Sequence, residues 1–218
     1  MELTTKDNKR IAADYYPAEN PRGWVVYLHM MPATKESWRS LAGFLAKNGY
    51  EGIAIDLRGH GASDGGPDGY EKFSDAEHQA STKDIEAALK HLEGAGAAPQ
   101  RVAIVGASIG ANLALQWLAE HEEYPCAVLL SAGANYRGIE TEPLARDLRQ
   151  GQRVLLAASR DDARAGGNNV EQNERLAAAV PAEAKAELLA YDTGGHGTVL
   201  LESHPDLAEK ILGFIAAA

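Results

Sequence analysis

Short apolar runs and helically spaced apolar positions take turns along this chain. Residues 2–5 and 10–16 read as two short strands joined by the turn Lys6-Asp7-Asn8-Lys9, followed by a loop over 17–23 rich in Pro, Asn and Gly. Trp24-Val25-Val26-Tyr27-Leu28 is an unbroken apolar run of strand length. Residues 36–48 then switch to the helical period, with Trp38, Leu41, Phe44 and Leu45 on one face and Gly49 where a C-cap glycine belongs. A strand over 52–56 runs into the glycine-rich loop 57–66. A long polar stretch precedes a helix that carries Ile85, Leu89 and Leu92 and ends near Glu93. Strands are expected at 101–105, 125–131, 153–158 and 185–190, and helices from the 106–110 turn to about 120 and over 169–179. A last helix starts near Ser203-His204-Pro205-Asp206, and residues 133–151 hold at most one short helix, around 142–149.

From residue 24 onward strand and helix alternate, which means βαβ units. The expected class is α/β: one domain over 1–218, with a mostly parallel, twisted sheet and helices on both faces. The 31 acidic against 21 basic residues, net charge −10, argue against nucleic acid or an anionic membrane as the main partner. No apolar run approaches the roughly 20 residues that span a bilayer. The polar start Met1–Asp7 shows no signal-peptide core, so the expected location is the cytoplasm. The lone Cys126 excludes an intrachain disulfide and, inside an apolar strand, reads as a core thiol.

Ligand sites on such sheets form at the carboxyl ends of the strands. His29, Ser108, Asp162 and His196 each fall just after an expected strand. Gly106-Ala107-Ser108-Ile109-Gly110 lies between a strand and a helix, the setting in which Gly-x-Ser-x-Gly presents a serine nucleophile on a sharp turn. A serine hydroxyl needs an adjacent base, and the base needs a group that orients it. Two histidines follow the candidate acids. His196, between Gly195 and Gly197, is free to swing out, whereas His204, ahead of Pro205, reads as a capping or surface residue. The acid is Asp161 or Asp162. The oxyanion of an acyl transfer needs N–H donors: the amide of Ile109, and that of Met30 or Met31 in the loop after the 24–28 strand. The side chains of both methionines either line an acyl pocket or pack in the core.

Five pieces in order, Leu28-His29-Met30-Met31-Pro32, Asp56–Ser63, Gly106–Gly110, Ser159-Arg160-Asp161-Asp162 and Gly195-His196-Gly197, resemble an α/β-hydrolase over nearly the whole chain. The resemblance implies that fold and a Ser108–Asp162–His196 triad. Asp162 is the acid because Ser159 stands where the family has the glycine of Gly-x-x-Asp. By the same register Met31 supplies the second oxyanion amide beside Ile109, and His29 is a structural or pocket-floor residue next to Met30. The loop 58–63 braces the site, which leaves His60 without a catalytic role. Met30 departs from the family's glycine, at a sharp bend. Residues 133–151 leave no room for a sizeable helical cap, so the site should be open and suit small, soluble acyl groups. The expected activity is hydrolysis of carboxylic esters or thioesters through an acyl-enzyme, by a monomer or small homo-oligomer with no metal or organic cofactor. Peptidase, acyltransferase and perhydrolase chemistry use the same triad, and a non-catalytic small-molecule binder is the alternative of another class.

Overall fold

The apolar runs of the sequence become the centre of an eight-stranded sheet. The structure, a computed structural model, describes residues 1–164 and 167–218, with Arg164 described by its main chain alone. In chain order the elements are β1 (Glu2–Thr4), β2 (Arg10–Tyr16), β3 (Gly23–Leu28), α1 (Arg39–Lys47), β4 (Tyr50–Ile55), α2 (Asp75–Gln79), α3 (Thr82–Gly94), β5 (Val102–Ala107) and α4 (Ile109–Glu120). The second half runs β6 (Cys126–Leu130), β7 (Asn135–Tyr136), β8 (Ile139–Glu140), α5 (Thr141–Arg146), β9 (Arg153–Ser159), β10 (Ala163–Arg164), β11 (Gly167–Asn168), α6 (Asn169–Ala179), β12 (Lys185–Tyr191), α7 (Val199–Ser203) and α8 (Leu207–Ala216). The large sheet has the order β1-β2-β4-β3-β5-β6-β9-β12. It is parallel from β4 to β12, with β2 and β1 added antiparallel at one side.

Successive residues of a strand point to opposite faces, and here both faces are covered. Val26 and Leu28 join a core with Ile85 and Leu92 of α3 and Leu113 and Leu118 of α4, while Val25 and Tyr27 join one with Leu41 and Leu45 of α1 and Ile211 and Phe214 of α8. That is why the central strands read as continuous apolar runs rather than as alternation. Each Leu or Ile fully buried this way contributes roughly 1.5–3 kcal/mol over exposure. α4 is the most enclosed helix, with ten of its twelve residues buried, and β5 leads straight into it.

Several boundaries differ from the expected ones for local reasons. The 36–48 helix opens with a 3₁₀ turn over Lys35–Trp38 before α1. Inside the polar stretch Ser74 and Glu77 form a reciprocal capping box that starts α2 ahead of α3. The last helix is α8, as expected from the start near 203–206; the short α7 ahead of it is not among the expected elements, and Pro205, which has no N–H and whose ring obstructs a continuing helix, separates the two. Residues 133–151 hold α5 and also the β7–β8 hairpin, whose two turn residues, Arg137 (φ 55°) and Gly138 (φ 77°), are both left-handed, the signature of a type I′ turn. Cys126 is buried in β6, and burial pushes its thiol up to about 12.

Candidate active site

The carboxyl ends of β3, β5, β9 and β12 carry the residues singled out above. Ser108 joins β5 to α4 with φ 53° and ψ −118°, a strained backbone for a residue with a Cβ, costing about 1–3 kcal/mol. The turn is held on both sides: Ser108 N–H donates to Leu130 O at 2.8 Å, and Ser108 O accepts from Ala111 and Asn112 N–H at 2.9 and 3.1 Å. Its glycines are required by space. A Cβ at Gly106 would lie 2.0 Å from Gly110 O, and one at Gly110 would lie 2.2 Å from Leu28 O. The second contact also seats the turn after β3, which bears Met30 and Met31, against the first turn of α4. The first amides of a helix have no partner within it, and Ile109 supplies the first of them in α4.

His196 and Asp162 meet directly, with Nδ1 2.5 Å from Oδ2 and the two residues only 9% and 5% exposed. A carboxylate only accepts, so Nδ1 is the donor and Nε2 of the neutral ring keeps its lone pair. A Cβ at Gly197 would lie 3.5 Å from the Cβ of Ala107 and 2.4 Å from Met30 Sδ. The chain next to His196 is therefore wedged between the residue before Ser108 and the Met30 side chain. The ring of Tyr136 stands edge-on to that of His196, centroids 6.5 Å apart. Of the two candidate acids, Asp162 takes the imidazole, and Asp161 takes the backbone of the histidine loop. Gly195 N–H donates to Asp161 Oδ1 at 3.0 Å and Gly194 N–H to Oδ2 at 3.2 Å. The Ser159 hydroxyl foremost, then these amides, hold the Asp161 carboxyl below the usual carboxylate range.

His29 serves as a brace and does not line a pocket. It is fully buried; Leu57 N–H donates to its Nε2 at 2.9 Å, so Nδ1 carries the proton and donates to Met30 O, also at 2.9 Å. The floor role considered for it at the substrate pocket gives way to the structural one, because both ring nitrogens and the whole ring surface are used inside. Met30 and Met31 are half-buried and pack against opposite cores. The non-glycine residues with positive φ among the described ones are Asn8, Asn20, Ser108, Ser131 and Arg137. Met30 is not among them, and a side chain there fits without left-handed strain. His60 is buried against Tyr70, centroids 4.1 Å apart, and His204 bonds Thr193 O at 2.7 Å, at the start of the loop that carries His196.

Burial, then the neighbouring His60, lowers the His29 pKa to about 4, against the hydrogen bond to Met30 O and the charges of Asp56 and Glu36. The folded value lies below the ordinary 6.5, so the unfolded chain binds the proton more readily. His29's contribution is complete above pH 6.5 and is lost as pH falls toward about 4, amounting to about 3 kcal/mol. Urea unfolding at pH 7 and pH 4 should show wild type losing that much more stability than His29→Gln, which cannot titrate. Equal losses would show that the ring is not held neutral.

Two residues at this edge carry no signal in the sequence. Ser131, expected as the last residue of the 125–131 strand, follows β6 with φ 54°, is fully buried, and accepts from Gly197 N–H at 2.8 Å; a serine at a strand's end carries no mark of that role. Tyr136 lies in a two-residue strand, too short for periodicity to show. Among the described residues no group of three or more His, Cys, Asp or Glu side chains could hold a metal, and no helix is long and apolar enough to cross a membrane.

A serine on a glycine-flanked turn, a buried His–Asp pair and a parallel sheet define a hydrolase-type α/β architecture, and the chain belongs to the α/β hydrolase fold family, whose model matches residues 23–180. A Bacillus subtilis (strain 168) relative, AB hydrolase superfamily protein YisY, is 29% identical over 112 residues, covering 50% of this chain and 38% of that protein. The Pyrococcus furiosus esterase Pf2001 superposes with TM-score 0.80 at 21% identity, over 100% of this chain and 91% of that one. DcsB, solved with a substrate analogue, gives TM-score 0.83 at 14% identity, over 100% and 98%.

Proposed function

We propose that the chain is a cytoplasmic serine esterase in which Ser108 is the nucleophile, His196 the general base and acid, and Asp162 the orienting carboxylate. The 2.5 Å contact of His196 Nδ1 with Asp162 Oδ2 carries this reading, because it leaves the Nε2 lone pair to take the Ser108 proton. Ser108 Oγ bonds to the ester carbonyl carbon as its proton passes to Nε2. The carbonyl oxygen becomes an oxyanion received by the amides of Ile109 and Met31, each such donor being worth about 10²–10³ in rate. The imidazolium gives the proton to the alcohol as the C–O bond breaks, leaving acyl-Ser108. Water then repeats both steps and frees the acid. The sequence of steps calls for neither a metal nor an organic cofactor.

The substrates this reading favours are carboxylic esters or thioesters with small, soluble acyl groups. Between β6 and β9 the chain has only a hairpin of two two-residue strands and the six-residue α5, so little protein stands over the elbow to wrap a long acyl chain. The esterase named for the P. furiosus neighbour is consistent with the chemistry. The experiment is a panel of p-nitrophenyl acetate, butyrate and palmitate, with a fluorophosphonate probe. The expected result is labelling at Ser108 and kcat/KM falling from acetate or butyrate to palmitate. Preference for palmitate would overturn the open-site reading, and a folded protein that neither labels nor hydrolyses would be a binder.

A further inference from the structure

His196 is mounted on Thr193-Gly194-Gly195-His196-Gly197, a loop whose three glycines have φ of 146°, 69° and 61°. Glycine loses more conformational freedom on ordering than any other residue, so this segment has little stiffness of its own. The order must come from outside, and the contacts that could supply it are specific. Three of the four amides around the imidazole are bound by side chains from neighbouring strand ends: Gly194 and Gly195 N–H by the Asp161 carboxylate after β9, at 3.2 and 3.0 Å, and Gly197 N–H by Ser131 Oγ after β6, at 2.8 Å.

We propose that Ser131 and Asp161 are positioning residues that hold the His196 imidazole in register with Ser108, one from each side of the loop. The inference rests on the triad reading above and adds two residues to it that touch neither substrate nor the imidazole. The backbone at Ser131 supports it. A fully buried serine at φ 54°, its own N–H donating to Ala157 O at 2.8 Å, occupies a conformation in which glycine would be easier. A strained backbone persists where the surroundings over-determine it, and such positions gather at functional sites. Here the strain aims one hydroxyl at the amide next to the imidazole. Asp161 acts from the other side with both carboxylate oxygens, and the Ser159 hydroxyl lies 2.6 Å from Oδ1, which orients that carboxylate in turn. Asp162, the next residue, faces the imidazole, so two adjacent acids of one strand end hold the ring and the loop that bears it.

The test compares Ser131→Ala, Ser131→Gly and Asp161→Asn with wild type on p-nitrophenyl acetate, together with thermal midpoints and the rate of fluorophosphonate labelling at Ser108. Displacing a catalytic group by about 1 Å can cost 10²-fold. Each Ser131 variant should lose about 10–100-fold in kcat and in labelling rate, with KM within about twofold. Asp161→Asn, which replaces one acceptor oxygen by an NH₂ facing an N–H, should lose about tenfold. Ser131→Gly is the decisive variant, because it removes the hydroxyl together with the Cβ that strains the left-handed backbone, while Ser131→Ala removes the hydroxyl alone. A residue needed merely for the turn would give a Gly variant as active as wild type. Low kcat in Ser131→Gly with an unchanged or higher melting midpoint supports the proposal. Wild-type kcat in both Ser131 variants, or a kcat loss that appears only where the midpoint falls, overturns it while leaving the esterase reading intact. A wild type that neither turns over nor labels overturns both.

Discussion

Ser108→Ala should lower kcat by about 10⁴–10⁶, or about 5–8 kcal/mol of transition-state stabilisation. It should do so with the fold unchanged. Alanine keeps the Cβ that Ser108 already carries at φ 53°, so the backbone strain is the same in both proteins. The bonds that hold the turn, from Ser108 N to Leu130 O and from Ala111 and Asn112 N to Ser108 O, are all main chain. Only the hydroxyl goes, and unfolding free energies from urea denaturation should agree within about 1 kcal/mol. Residual turnover by the oxyanion amides and binding alone sets the floor of the loss. Purified variant assayed on p-nitrophenyl acetate, with intact-mass analysis after fluorophosphonate, checks both halves. A loss below tenfold, or a probe adduct retained by the variant, would move the nucleophile elsewhere.

The second large effect is on stability and concerns Gly106. A Cβ there would lie 2.0 Å from Gly110 O, 2.3 Å from Gly110 C and 2.6 Å from Ala111 N. All three atoms are backbone of α4, so no rotamer can move away. The elbow must open instead, pulling α4 from the sheet it is buried against. Gly106→Ala is expected to cost about 4 kcal/mol or more, at the upper end of what overpacking and backbone strain produce. Gly43 in α1 makes the control, since a Cβ there meets nothing within 4 Å, and Gly43→Ala should stabilise by about 0.5–1 kcal/mol. Urea denaturation of the two variants beside wild type reads the contrast. Similar midpoints for both would mean that the turn yields more easily than its packing implies.

The same contacts explain what could be read before any coordinates. Strands buried on both faces leave unbroken apolar runs, so β3, β5, β6 and β9 were legible from Trp24, Val102 and their neighbours. The elbow was legible because only glycine fits at 106 and 110, and that need is written in the sequence. Asp161 and Asp162 could not be separated by composition: they are the same residue type one position apart, and their roles diverge only where the chain turns after β9. His29 was ambiguous for a related reason. A histidine after a strand can face a ligand or the interior, and Leu57 N–H, 28 positions away, decides it. The β7–β8 hairpin escaped because its left-handed turn uses Arg137 where asparagine or aspartate is the common marker. Ser131 escaped because its partner, Gly197, is a backbone amide without a side-chain signature.

α4, enclosed on nearly every side, has a consequence for how the protein would fail. Segments with few buried contacts open first under mild denaturant or rising temperature, and a central helix opens only with the whole domain. The hydroxyl of Ser108 rides on that last-opening part, and the imidazole rides on a glycine loop at the rim. Partial loss of order would thus silence the chemistry while the molecule still looked native to circular dichroism, and cooling would restore it.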